Sequence, residues 1–248
     1  KNKITIKKQT DTSVDSAYFC VINNSINLLN YQKHMKKQFW YFIFLLFYIG
    51  TLPVQGKITL PAILSDNMVL QQKAQVRFWG KACPGEKVTV STSWDKNIYT
   101  VQTPTDGHWE VKIKTPGVMD NQTLTVKGEN TITIHNILIG EVWLCTGQSN
   151  MELPVSRVTD RFRDEISTDS NYPMVRYIKT PLLYNFHAPQ ADIPGISWQA
   201  MTPENVMPFS ALVYFFAKDV YQKTKVPVGI INSSVGGSPV EAFLILFE

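Results

Sequence analysis

Val142-Trp143-Leu144-Cys145-Thr146-Gly147-Gln148-Ser149-Asn150-Met151 is an uncharged stretch whose apolar start runs into a glycine and then a serine. Apolar residues in succession, without polar alternation, predict a strand buried on both faces, as in a parallel sheet. Val226-Pro227-Val228-Gly229-Ile230-Ile231 has the same character. Between the two, Ser210 is placed to cap a helix from Ala211 to about Lys223, with Leu212, Phe215, Phe216 and Val220 along one apolar face. The turn Asn232-Ser233-Ser234-Val235-Gly236-Gly237-Ser238 follows the second strand, and Pro239-Val240-Glu241-Ala242-Phe243 suits another helical turn. Helix, buried strand and glycine-rich turn in this order form an α/β unit. Arg161 to Glu204 holds five prolines and scattered aromatics, and is read as a long irregular loop framing a site, with no assigned secondary structure.

Upstream, the pattern is different. Gln75-Val76-Arg77-Phe78-Trp79, Lys87-Val88-Thr89-Val90-Ser91, Trp109-Glu110-Val111-Lys112-Ile113 and Thr123-Leu124-Thr125-Val126 alternate with period two, separated by Pro84-Gly85, Asp106-Gly107 and Asn130. Such spacing predicts an antiparallel β-sandwich. The expected architecture is therefore α+β with two domains: a β-sandwich at 57–136, then an α/β domain with a parallel sheet at 137–248.

Met35-Lys36-Lys37, the uncharged run Phe39 to Leu52 and the small residues before Lys57 predict a secretory signal peptide at 35–56, cleaved after Gly56. About fourteen apolar residues fall short of the roughly twenty that a membrane-spanning helix needs, so no stable membrane span is expected. The predicted location is periplasmic or extracellular. Residues 1–34 lie upstream of Met35 as a candidate initiator and are read as a non-native or disordered segment.

Residues 1–56 hold seven lysines and two aspartates against a whole-chain charge of +4, so the rest of the chain is near −1. That balance gives no electrostatic footprint for a nucleic-acid partner. With 44% hydrophobic and 18% charged residues, the composition is that of a globular protein. Cys83 and Cys145 are read as buried thiols rather than a disulfide, and no Cys/His spacing matches a zinc site.

Ser149 sits just beyond a strand end, where parallel α/β sheets bind ligands, and Gly147 lets the chain bend sharply there. Nucleophile and simple helix cap both fit at this stage, since the string is not the G-x-S-x-G elbow. Gly236 and Gly237 could aim backbone N–H groups at a developing oxyanion. A tight turn or an anion site at a helix start are the competing readings, and the absence of a following Gly-Lys-Ser/Thr excludes a P-loop.

The string Gly140 to Glu152, Gly-Glu-Val-Trp-Leu-Cys-Thr-Gly-Gln-Ser-Asn-Met-Glu, closely resembles the nucleophile block of the sialate O-acetylesterases, a branch of the SGNH hydrolases. Ser210 to Ala217, Pro227 to Ile231 and Gly236 to Phe243 are similar to that family too, as are Leu60-Pro61-Ala62 and Asp66 to Gln71. The resemblance implies an SGNH, flavodoxin-like fold for 137–248 and a carbohydrate esterase that removes O-acetyl groups from sialic acid or other sugars. It implies Ser149 as nucleophile, the N–H groups of Ser149 and Gly237, with Gly236 beside them, as oxyanion donors, and Gln148, Asn150 and Glu241 as substrate contacts. No cofactor or metal is implied, and the partner is an O-acetylated sugar or sialoglycan.

The family closes its site with an Asp-x-x-His, and none of His34, His108, His135 and His187 has an aspartate three residues before it. Phe243 stands where the family usually has tryptophan. The expectation is a domain cut off before its base histidine, inactive or nearly so. The alternative is a carbohydrate-binding protein acting through Trp79, Trp94 or Trp109 of the β-domain without catalysis, since aromatic faces stack on sugars and equally fill sandwich cores.

Overall fold

The computed structural model describes residues 35–39, 41, 56–183, 187, 190 and 192–243. The chain divides into two compact units, 1–54 and 55–248. In the first, residues 35–39 and 41 are helical and exposed; the rest of the signal segment up to residue 55, and residues 1–34, lie outside the described residues. No helix among the described residues is long and apolar enough to cross a membrane.

In the second unit, strands β1 (Val69–Gln71), β2 (Gln75–Lys81), β3 (Lys87–Thr92), β4 (Ile98–Gln102), β5 (His108–Lys114) and β6 (Met119–Lys127) precede one 17-residue strand, β7 (Thr131–Gly147). Helix α1 (Ser149–Glu152) follows, then α2 (Thr159–Thr168), β8 (Tyr172–Lys179), β9 (Gln199–Met201), α3 (Ala211–Thr224) and β10 (Val228–Ser234). An eight-stranded sheet runs in the order β4-β3-β6-β7-β10-β8-β9, with β1 also paired to β7. β2 and β5 form a separate antiparallel ribbon. The large sheet is mixed: β3, β4, β6 and the first part of β7 are antiparallel, whereas β10 runs parallel to both β7 and β8.

Alternation explains the antiparallel half. Along β5, Trp109, Val111 and Ile113 face inward while His108, Glu110, Lys112 and Lys114 are exposed, the period-two signature of a strand with one wet face. Phe78, Trp109 and Ile113 of the ribbon share one core with Val88, Val90, Leu124, Val126 and Ile134 of the large sheet. A second core lies under α3, where Val213, Tyr214 and Ala217 meet Val175, Tyr177, Val228 and Ile230.

Three expectations need correction. The stretch from Arg161 to Glu204 is not one irregular loop, for it supplies α2, β8 and β9. Pro173 misleads because it occupies the second position of β8, where a strand tolerates a missing N–H. The predicted helix is correct in its bounds and cap, Ser210 Oγ accepting from Val213 N at 3.4 Å, but not in its face. Leu212 and Phe216 are exposed, and the buried positions are Ala211, Val213, Tyr214, Ala217 and Lys218. Trp143 and Leu144 are likewise exposed rather than buried on both faces. β1 stops pairing with β7 at Gly140, so beyond it β7 has β10 on one side only. Trp143 instead meets Phe216 edge-on, with ring centroids 5.1 Å apart.

Lys218 explains why a cation sits on the inner face of α3. Its Nζ lies 2.9 Å from Glu165 and 3.0 Å from Asp169, both near the end of α2, and Asp169 also accepts from the Tyr172 hydroxyl. Burial works against the ammonium, but the two carboxylates outweigh it and hold its pKa above the ordinary lysine value. The Tyr172 hydroxyl, then Lys218, hold the Asp169 carboxyl below the usual carboxylate range. A lowered acid contributes stability that is lost as pH falls below about 4, and a raised base contributes stability intact below about pH 10.4. Because the carboxylates are half-exposed and can recruit water, Lys218→Met is expected to cost about 1–2 kcal/mol at pH 7. Urea midpoints at a series of pH values check this: the gap between wild type and variant should narrow below about pH 4, and a gap independent of pH would contradict the pairing.

Candidate active site

The parallel register brings the two glycine-containing turns to the same edge of the sheet. β10 pairs with β7 from Val228↔Glu141 to Ser234↔Gly147, so both strands end side by side. Gly147 closes β7 at φ +150°, and a Cβ there would stand 3.1 Å from Met151 Cβ. Ser149 then opens α1, exposed, with Gln148 and Asn150 exposed on either side. The turn is fixed from behind: Leu153 N donates to Ser149 O, and Ala211 N donates to Leu153 O at 2.8 Å, tying the segment to the start of α3.

The second turn packs directly on the first. Val235 N donates to Gly147 O at 3.0 Å, and Gly236 N donates to Glu152 Oε2 at 2.6 Å. A Cβ on Gly236 would lie 3.8 Å from Ser149 Cα. The next residue, Gly237, has φ +79°, a left-handed conformation that favours glycine. Of the two glycines expected as oxyanion donors, Gly236 thus has its N–H committed to Glu152. Among the described residues no hydrogen bond takes the N–H of Gly237 or of Ser149. Glu241 is exposed on the 3-10 turn Val240–Phe243, which lies beside β7.

Three supporting residues escaped the sequence reading as site elements. Asn232 is fully buried, and its Oδ1 accepts from Ser234 Oγ at 2.6 Å; Ser234 Oγ also lies 3.3 Å from Met151 O, linking β10 to α1. Glu152 bridges to the second turn. The available signal was polarity in an apolar strand: Asn232 and Ser234 extend a buried run, and a buried polar side chain is kept where it has a partner. Beneath them the Tyr177 hydroxyl accepts from Ser210 N at 3.2 Å, and burial pushes its pKa up to about 12, so it remains protonated at neutral pH.

No family model matches the chain. Human sialate O-acetylesterase is 32% identical over 198 residues, covering 73% of this chain, and the rat enzyme is 31% identical over 199 residues, again 73%. A crystal structure of a carbohydrate acetylesterase from Xanthomonas citri matches with a TM-score of 0.69 at 35% identity, over 76% of this chain and 42% of that one. The chain belongs to the sialate O-acetylesterase family. Its mixed α/β sheet is similar to the acetylesterase fold. The chain spans about 37% of the human relative's length and 36% of the rat relative's.

Within this family member, two of the histidines lie on the antiparallel strands. His108 lies on β5 with Nδ1 3.1 Å from Asp106 O, and His135 lies on β7 with its N–H on Asp66. Among the described residues no histidine hydrogen-bonds Ser149. Neither Cys83 nor Cys145 is in a disulfide, and burial pushes the Cys145 thiol up. No group of three or more His, Cys, Asp or Glu side chains that could hold a metal ion occurs among the described residues.

Proposed function

We propose that this chain carries the nucleophile and oxyanion-binding parts of an exported carbohydrate O-acetylesterase, built as a β-sandwich domain followed by an SGNH domain. Ser149 Oγ attacks the acetyl carbonyl of an O-acetylated sialic acid or other sugar, and a histidine takes the hydroxyl proton and returns it to the departing sugar oxygen. Water then attacks the acetyl-serine, releasing acetate and restoring the hydroxyl. The N–H groups of Ser149 and Gly237 receive the oxyanion, while Gln148, Asn150 and Glu241 line the approach. No cofactor is required by this chemistry. The supporting observation is the approach of Gly236 to the exposed Ser149, a Cβ on the glycine lying 3.8 Å from Ser149 Cα, with the N–H groups of Ser149 and Gly237 uncommitted among the described residues. Family membership supports the substrate class.

These 248 residues contain no Asp-x-x-His, so turnover by them alone is expected to be slow. Joined to a segment that carries the family's Asp-x-x-His, the chain has a base for Ser149. p-Nitrophenyl acetate then acylates the serine, and an acid quench, which protonates the histidine, halts deacylation. Acetyl should be found on the peptide bearing Ser149 by mass spectrometry and vanish in Ser149→Ala. Adducts confined to lysines would refute the assignment.

A further inference from the structure

The outer face of the β2–β5 ribbon carries a feature that the ester chemistry does not use. Of the tryptophans on the antiparallel part, Trp109 is 1% exposed in the core, and Trp94 is held by its indole N–H on Lys114 O. Trp79 is different: it points away from the core and is 38% exposed. Three recesses meet at it. One, of about 380 Å³, runs past Pro61, Lys81, His108 and Asp192; another, of about 460 Å³, follows Arg77, His108 and Glu110; the third, of about 180 Å³, passes Ile178 and Ile231 to Thr180.

The polar groups around the ring fall into two sets. Arg77 and Glu110 satisfy each other at 2.5 Å. Asp192 uses Oδ1 to hold Ala62 N and Ile193 N, so its Oδ2 has no bond to a described residue. His108 engages Asp106 through Nδ1 and its side chain is exposed, and Lys81 Nζ has no carboxylate partner among the described residues. An exposed indole face rimmed by separated donors and acceptors fits a pyranose ring, whose C–H face stacks on the aromatic while its hydroxyls bond at the edge. A purely apolar ligand would leave that rim unpaired.

The groove also has a direction. Thr180 follows the carboxyl end of β8, and its N–H donates to Asn232 O of β10. Asn232 lies two residues, about 7 Å, before Ser234, the register partner of Gly147. The third recess therefore runs from Trp79 to Thr180, at the carboxyl end of β8.

We infer that Trp79 is the platform of a glycan subsite, with Lys81, His108 and Asp192 at its rim, which holds sugar units of the chain without requiring an acetyl group. The site stands independently of the role of Ser149, and unacetylated probes keep the two apart. Xylohexaose and 3′-sialyllactose are titrated against the full chain, with heteronuclear NMR reporting the indole N–H signals. Saturable binding of either glycan that shifts the Trp79 indole is expected. Trp79→Ala should weaken it about tenfold, while Trp79→Phe, which keeps a flat face, should retain most of it. His108→Ala, on the exposed rim, should weaken it severalfold with an otherwise unchanged spectrum. Binding restricted to 3′-sialyllactose would assign the sugar carboxylate to Lys81, and binding of xylohexaose would assign stacking on a neutral ring. Absence of binding by both glycans, or unaltered binding in Trp79→Ala, would overturn the subsite.

Discussion

Gly140→Ala is expected to destabilise the protein by about 3–5 kcal/mol, a large share of the 5–15 kcal/mol that typically holds a domain together. Gly140 is the residue at which β7 leaves β1 and begins to pair with β10. A Cβ there would stand 2.1 Å from Pro227 O and 2.8 Å from Pro227 C, which are backbone atoms. Relief requires moving the start of β10, and with it the bond from Glu141 N to Pro227 O at 2.8 Å that sets the register. Overpacking of about 1–3 kcal/mol or more and the loss of a buried backbone bond add in the same direction. The unfolded-state benefit of replacing glycine, about 0.4–1 kcal/mol, opposes them and is smaller. Gly229→Ala provides the comparison. Its Cβ would meet the Val69 side chain at 2.6 Å, and a side chain yields more readily than backbone. Urea midpoints should therefore rank wild type above Gly229→Ala and Gly229→Ala above Gly140→Ala. A Gly140→Ala variant as stable as wild type would mean that the junction is not this close.

The same junction shows why the sequence was readable in parts. Alternation along β2, β3 and β5 reports a strand with one face in water, and it needs no knowledge of neighbours. Continuous apolar runs are less informative, because they state that a segment is apolar and not which side is covered. Within the expected strand Val226 to Ile231, Val228 to Ile231 has β7 and β8 on its two sides and is largely buried. Trp143 and Leu144 have the same composition and are exposed, because pairing on one edge of β7 ends three residues earlier. The helix face was misplaced for a related reason: Phe216 turns outward to meet Trp143, while Lys218 turns inward to two carboxylates. At the site, the glycines and the serine were legible as types that turns and nucleophiles require. Their mutual distance was not, because it depends on the β7–β10 register. Nor was the occupation of Gly236 N–H by Glu152, a contact across 84 positions of the sequence.

Ser149→Ala is expected to carry two different costs, and the difference between them is the sharper test of its role. A serine and its histidine act as one unit: removal of either leaves little for the other to do, and each loss alone costs about 10⁶-fold in kcat in a well-developed triad. What survives is the oxyanion site and substrate binding, worth about 10³–10⁴ over water. Among the described residues, no hydrogen bond takes the N–H of Ser149 or of Gly237, and Ser149 has no histidine partner. For the 248 residues alone, acetate release from an O-acetylated sugar should thus run at the residual rate, and Ser149→Ala should change it less than about tenfold. Fused to a segment carrying the family's Asp-x-x-His, the same chain should gain several orders of magnitude, and Ser149→Ala should then remove nearly all of the gain. Gly237→Val, which keeps an N–H but disfavours φ +79°, should lower both the residual and the restored rate, by about 10²-fold if one oxyanion donor is misdirected. A fused chain that hydrolyses as well with alanine at 149 as with serine would move the nucleophile elsewhere. A residual rate untouched by Gly237→Val, with the restored rate equally untouched, would leave the oxyanion to other groups and confine the second glycine turn to bracing α1 through Glu152.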